Sequence, residues 1–207
     1  MGVKTFRTVV SVIFVLGLII SGCAKAPVVE VDAVKAALAD AKTAEADRYA
    51  NSEYGTANSS LAAAQSEVEH QNSRFALLRN YDQAKQLLTK AQADAQAAKS
   101  TADTNKAQVR SEAESTLQQT QTAIMEAKDL MTKAPKGKEG KAALELINAD
   151  ITMLETSLPE VTTTISNGDF LTAKDQAQSK LTKANSIKQE LQDVIAKKAE
   201  LSGSRTP

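Results

Sequence analysis

The chain has 207 residues, with 25 Lys and Arg against 25 Asp and Glu, so its formal charge at neutral pH is zero. Signs interspersed in this way do not supply the basic face that a nucleic-acid partner requires. Three tyrosines, four phenylalanines and no tryptophan are too few for an aromatic stacking platform or sugar-binding groove, and a single cysteine excludes an intrachain disulfide and a cysteine-rich metal site.

The first segment has the layout of a secretory signal. Lys4 and Arg7 precede an uncharged apolar run from Val9 to Ile20, followed by Ser21, Gly22 and Cys23. A basic start, an apolar middle and small residues at the end mark a cleaved export signal. A retained membrane span is the alternative, but it needs about 20 apolar residues, and the uncharged run from Thr8 to Ala24 is slightly short and ends in small side chains. Cys23 as a core thiol is a third reading, and it leaves the position directly after the small residues unexplained.

Ile20-Ser21-Gly22-Cys23 resembles the lipobox of bacterial lipoproteins. The resemblance implies cleavage between Gly22 and Cys23, a signal peptide of residues 1–22, and three acyl chains on Cys23. Two lipid signals hold a protein stably at a membrane, so three imply lasting attachment. Ala24 and Lys25 follow the cysteine where an Asp would imply inner-membrane retention, so the expected address is the outer membrane, on its periplasmic side. Cleavage removes two basic residues, Lys4 and Arg7, and no acid from the 25 of each, leaving a net charge of −2.

Residues 23–31 read as a lipidated tether. Beyond them Ala, Lys, Glu, Gln and Leu dominate, all good helix formers, and no apolar–polar alternation is sustained, so the predicted class is all-α. A first helix is predicted from Asp32, as N-cap, to Ala50, with Val34, Leu38, Ala41, Ala44 or Glu45, and Tyr49 inward. A second runs from Glu53 to Leu78, burying Tyr54, Ala57, Leu61, Ala64, Val68, Phe75 and Leu78. After a break at Arg79–Asp82, no Pro or Gly interrupts the chain to Ala134, which predicts a rod of about 75 Å for roughly 50 helical residues. Poor helix formers at Ser100–Asn105 predict a soft joint within it.

Ala134–Gly140 is a loop by composition. The helix predicted from Lys141 carries Leu144, Ile147, Ile151, Leu154, Leu158, Val161 and Ile165 in alternating steps of three and four, a coiled-coil-like seam. Pro159 falls inside the seam without shifting its register and predicts a kinked helix. Asn167-Gly168 should end it and Asp169 should cap the last helix, which runs to about Leu201 before a disordered tail, 202–207.

The two halves resemble each other. Leu38, Ala41, Leu61, Val68 and Phe75 match Ile124, Ala127, Ile147, Leu154 and Val161 at one constant offset, and Leu88-Thr89-Lys90-Ala91 recurs as Leu181-Thr182-Lys183-Ala184. The expected architecture is an elongated antiparallel bundle of two three-helix units, 32–105 and 106–201, sharing one long central helix in a spectrin-like arrangement. A simple antiparallel bundle without duplication is the alternative.

Tyr49-Ala50, Glu53-Tyr54, Ala57, Leu61 and Ala64, followed by Tyr81, Ala84, Leu87 and Ala91, resemble the Ala-rich helical domain of uncharacterised envelope lipoproteins, often linked to OmpA-like peptidoglycan-binding domains. The resemblance spans about residues 32–100. Asn51 stands where that pattern has a proline, Arg79-Asn80-Tyr81 where it has Gly-Asp-Tyr, and no OmpA-like segment follows within this sequence. The resemblance implies a location and a fold, and no catalytic residue.

Reactive groups are sparse. His70 lacks a second His or any Cys to complete a metal site. Glu67 and Glu69, like Glu112 and Glu114, are two residues apart and point to different helix faces, a poor arrangement for a carboxylate dyad. Lys136, Lys138 and Lys141 with Gly137 and Gly140 suggest an anionic contact or a solvated hairpin, and Gly137–Gly140 lacks the phosphate-cradling pattern. No catalytic, cofactor-binding or metal-ligating residue is therefore assigned, leaving Cys23 for lipidation and the Gly22–Cys23 bond for cleavage. The expected function is a non-enzymatic scaffold anchored in the bacterial envelope by its lipid, with envelope proteins or a peptidoglycan-associated partner and no nucleic acid. The alternative is a periplasmic binding or chaperone-like protein that holds a hydrophobic ligand or client polypeptide between its helices.

Overall fold

The computed structural model describes residues 24–135 and 138–203. Among these the fold is an all-α bundle without strands. The helices are α1 (Val28–Thr43), α2 (Ala46–Tyr49), α3 (Asn51–Ser73), α4 (Asp82–Lys133), α5 (Lys138–Ser166) and α6 (Phe170–Gly203), with one 3₁₀ turn at Ala76–Leu78. The chain divides into two compact units, the first ending at Asn105 and the second beginning at Lys106.

In the first unit α1 starts at Val28, four residues before the expected cap at Asp32. Pro27 supplies the start: a proline has no N–H to satisfy, and its fixed φ suits a helix entrance. Asp32 lies inside the helix, paired with Lys35 at 3.6 Å. The single helix expected to Ala50 is broken at Ala44-Glu45, where Glu45 adopts the left-handed conformation (φ 59°, ψ 36°). The break re-phases the buried stripe. Val34, Leu38 and Ala41 are followed by Ala46 and Tyr49, a step of five that an unbroken helix cannot make while keeping one face inward.

The core of this unit joins Val34 and Leu38 of α1, Ala57, Leu61 and Ala64 of α3, and Leu88, Ala91 and Ala95 of α4. The small side chains let the helices approach closely while burying modest apolar area per residue. The soft joint expected at 100–105 is not a break. α4 runs through it without interruption, Ala98 and Ala102 are buried, and the Asn105 side-chain amide donates to the Tyr49 carbonyl at 2.7 Å. The poor intrinsic propensity is overridden by packing and by this anchor.

The second unit is built on larger side chains. Ile124, Ile147, Ile151, Leu154, Ile187 and Leu191 form one cluster with Ala123, Ala127, Ala134 and Ala184, and Ala113, Val161, Ala173 and Ala177 form another. α5 continues through Pro159, which deprives the Glu155 carbonyl of its helical donor. The seam stays in register, with Leu154 and Val161 both buried. After Ser166 the chain turns on Gly168 (φ +81°). The Gly168 N–H donates to the Ile165 carbonyl at 3.0 Å and the Asp169 N–H to the Thr164 carbonyl at 3.2 Å, the paired bonds of a Schellman turn. Asp169 then heads α6, its carbonyl accepting from the Ala173 N–H.

Candidate functional site

Cys23, Gly22 and the rest of the lipobox lie outside the described residues, as does all of 1–23. The site visible in the structure is the end of the first unit that this segment feeds. Ala24 to Pro27 lead directly into α1. The first turn presents Val28 and Val29 to solvent, 61% and 79% exposed, while Val34 turns into the core. α1 runs antiparallel to α3, so its start meets the far end of that helix. Val28 and Val31 line a groove of about 290 Å³ with Gln65, Val68 and Glu69.

At this same end α3 stops at Ser73, and the return to α4 is organised by one buried side chain, Gln71. Its Oε1 accepts from the Asn80 backbone N–H at 3.1 Å and from the Arg74 guanidinium at 3.2 Å, and its amide donates to Glu67 at 2.8 Å. Arg79 braces the loop, donating to the carbonyls of Arg74 at 3.0 Å and Asn72 at 2.8 Å. The buried Tyr81 hydroxyl donates to Asn72 Oδ1 at 2.5 Å, and Asn80 Oδ1 accepts the Asp82 N–H at 2.7 Å, capping α4.

While these polar groups bond to one another, the apolar ones face out. The 3₁₀ turn is closed by the Leu78 N–H on the Phe75 carbonyl at 2.8 Å, and Phe75, Leu77 and Leu78 are 70%, 56% and 63% exposed. This corrects the expectation that Phe75 and Leu78 are buried on a helix reaching Leu78. The sequence carries one partial signal of where α3 ends. Leu61, Ala64, Val68, Gln71 and Phe75 follow the three–four spacing, and the one polar member marks where the seam ends.

The other candidates fall into place as surface or bracing groups. His70 is exposed, with Nδ1 3.7 Å from Glu67, and among the described residues no group of three or more His, Cys, Asp or Glu is placed to hold a metal ion. Glu67 serves Gln71 while Glu69 is exposed. Glu112 binds Lys174 and Gln108, and Glu114 binds Arg110, so neither carboxylate pair converges. Lys136 and Gly137 lie outside the described residues, as does the Lys138 side chain; Lys141 is exposed, 3.9 Å from Glu145.

The perturbed titratable groups belong to ion pairs, one along α4 and two between helices. Asp94 is held below the usual carboxylate range by hydrogen bonds from Lys90 and Ser60. Glu112 is held low by Lys174 and Gln108, and Lys183 is held high by Asp150, 2.6 Å away. Lys128–Glu155 and Lys188–Glu126 tie the second unit in the same manner.

No helix among the described residues is long and apolar enough to cross a membrane. No family model matches the chain, and no curated protein or solved structure matches it. The geometry of this end and the motif in the sequence therefore carry the functional reading.

Proposed function

We propose that the chain is a non-enzymatic, lipid-anchored helical scaffold of the bacterial cell envelope, held at the periplasmic side of the outer membrane by acyl chains on Cys23. It works through its helix surfaces on envelope or peptidoglycan-associated partners. The observation that carries this reading is Ile20-Ser21-Gly22-Cys23 at the end of a basic-then-apolar segment. It is supported by the short span from Cys23 to the first helical turn, which would place the first unit close to its anchor. The engagement of the shifted ionisable groups in ion pairs also fits a structural use of those groups.

Metabolic labelling with an alkyne fatty acid tests the anchor. The wild-type chain should incorporate label and Cys23→Ser should not; equal labelling of the two would refute it. In-cell crosslinking of both chains tests the scaffold role: a partner captured by the anchored form and lost with Cys23→Ser is the expected result.

One observation favours the second reading, a protein that holds a hydrophobic ligand or client. An open groove of about 460 Å³ lies beside Met131 and Leu144, with Lys141, Glu145 and Asn148 around it. An apolar fluorophore displaced from wild type and failing to bind Leu144→Lys would favour that reading over the scaffold.

A further inference from the structure

The run Arg74-Phe75-Ala76-Leu77-Leu78-Arg79 is arranged against the usual economy of a loop. Its polar neighbours Gln71, Asn72, Asn80 and Tyr81 are consumed in internal hydrogen bonds, and its large apolar side chains are left in the solvent. Val28 and Val29 add two more exposed apolar groups at the same end of the unit. Exposed apolar residues scattered singly are normal, whereas several gathered at one end mark a contact surface.

The position of the chain's anchor identifies the occupant. Val28 packs at the level of Val68 and Glu69, and α3 rises only four more residues to Ser73, about 6 Å at the helical rise. The five-residue step from Cys23 to Val28 reaches at most about 18 Å. A bilayer that holds an acylated Cys23 is therefore within about 18 Å of the start of α1, and the Phe75–Leu78 turn is at the same end of the unit. The turn has the chemistry of an interfacial element: bulky apolar tips on a backbone whose flanking Arg74 and Arg79 are satisfied by internal hydrogen bonds. Acids also ring this end (Glu30, Asp32, Glu67, Glu69 and Asp82), so net attraction to an anionic surface is not the driving force. Burial of apolar area in the acyl–headgroup boundary is.

Resting on the lipid-anchor reading, we infer that Phe75, Leu77 and Leu78, with Val28 and Val29, form a second membrane contact that seats in the bilayer interface beside the acylated Cys23. The acyl chains hold the protein, and the turn sets how the first unit stands on the membrane. The internal bracing through Gln71 and Arg79 prepares the turn in advance, so little ordering cost is met on insertion.

The test uses the full acylated chain carrying Leu77→Cys, purified from membranes, spin-labelled at that thiol and reconstituted in vesicles of phosphatidylethanolamine and phosphatidylglycerol. Met153→Cys, an exposed position of the second unit, is the reference. Oxygen, which concentrates in lipid, and a water-soluble nickel chelate compete to relax each label. The expected oxygen-to-nickel ratio is several-fold higher at position 77 than at 153, falling when Phe75→Ser and Leu78→Ser are added. Equal ratios at the two positions overturn the inference. So does label–label broadening at position 77 that vanishes on dilution with unlabelled chain, which would assign the patch to a second copy. The mass of the purified chain separates the two readings: an acylated chain with a water-exposed position 77 overturns the membrane contact alone, and a chain without acyl groups overturns the anchor as well.

Discussion

Phe75 and Val161 stand at matching places in the two halves of the sequence, yet Phe75 is 70% exposed and Val161 is completely buried. The difference lies in what precedes each. In the first unit the seam meets Gln71, whose side chain bonds the returning loop, and α3 ends at Ser73. In the second unit the position matching Gln71 is Ser157, which bonds locally to the Leu154 carbonyl, and α5 continues through Pro159 to the Schellman turn at Gly168. A buried amide with distant partners marks the end of α3, whereas a proline does not end α5. The cores differ too: alanine-lined around Leu88 in the first unit, and rich in isoleucine and leucine in the second.

These contrasts can be broken by substitution. The largest effect is expected in the aliphatic core, where Ile187→Ala should lower stability by about 3 kcal/mol, read from a denaturant melt. Val161→Ala should cost about 2 kcal/mol, while Phe75→Ala should stay within about 0.5 kcal/mol in solution. Similar losses at both would show that the two positions share one environment after all. Gln71→Ala should cost about 1–2 kcal/mol by leaving the Asn80 N–H without its acceptor, and amide exchange across 74–81 should accelerate. Unchanged exchange there would remove Gln71 from its organising role.

The smallest effect concerns Asp94. Its carboxyl is lowered by Lys90 and Ser60, so the native state favours the ionised form. The associated stability is present above the ordinary carboxylate pKa and is lost as pH falls through the lower native value. Asp94→Asn should therefore cost less than about 1 kcal/mol at neutral pH, and the cost should shrink as pH falls below the ordinary carboxylate range. A cost that persists at low pH would point to packing in place of charge.

The fold class was legible because helix formers and three–four spacing point the same way over most of the chain. The continuity of α5 was also legible, since Leu158, Val161 and Ile165 keep one phase across Pro159. Three features were not. The early start of α1 depended on Pro27, which reads equally well as part of a tether. The break at Glu45 depended on a left-handed residue that is not glycine, and local propensity gives no warning of that. The outward turn at Phe75 depended on bonds from Gln71 to Asn80 and from Arg79 to Asn72, contacts between residues seven to nine apart that periodicity does not register. The apolar side chains of the candidate site were visible as residue types, and only their direction was misjudged.

Glu45 has a consequence beyond its own geometry. Successive helical residues advance about 100° around the axis, so any insertion or deletion in an unbroken helix rotates every downstream side chain out of phase with the core. The left-handed residue acts as a rotational clutch between α1 and α3. Lengthening or shortening α1 by a residue ahead of Glu45 would change the phase of the α1 stripe, Val34, Leu38 and Ala41, leaving Ala57, Leu61 and Ala64 set against α4. The disturbance from a change in length is thereby confined to α1, and the helices that form the rest of the first unit keep their register.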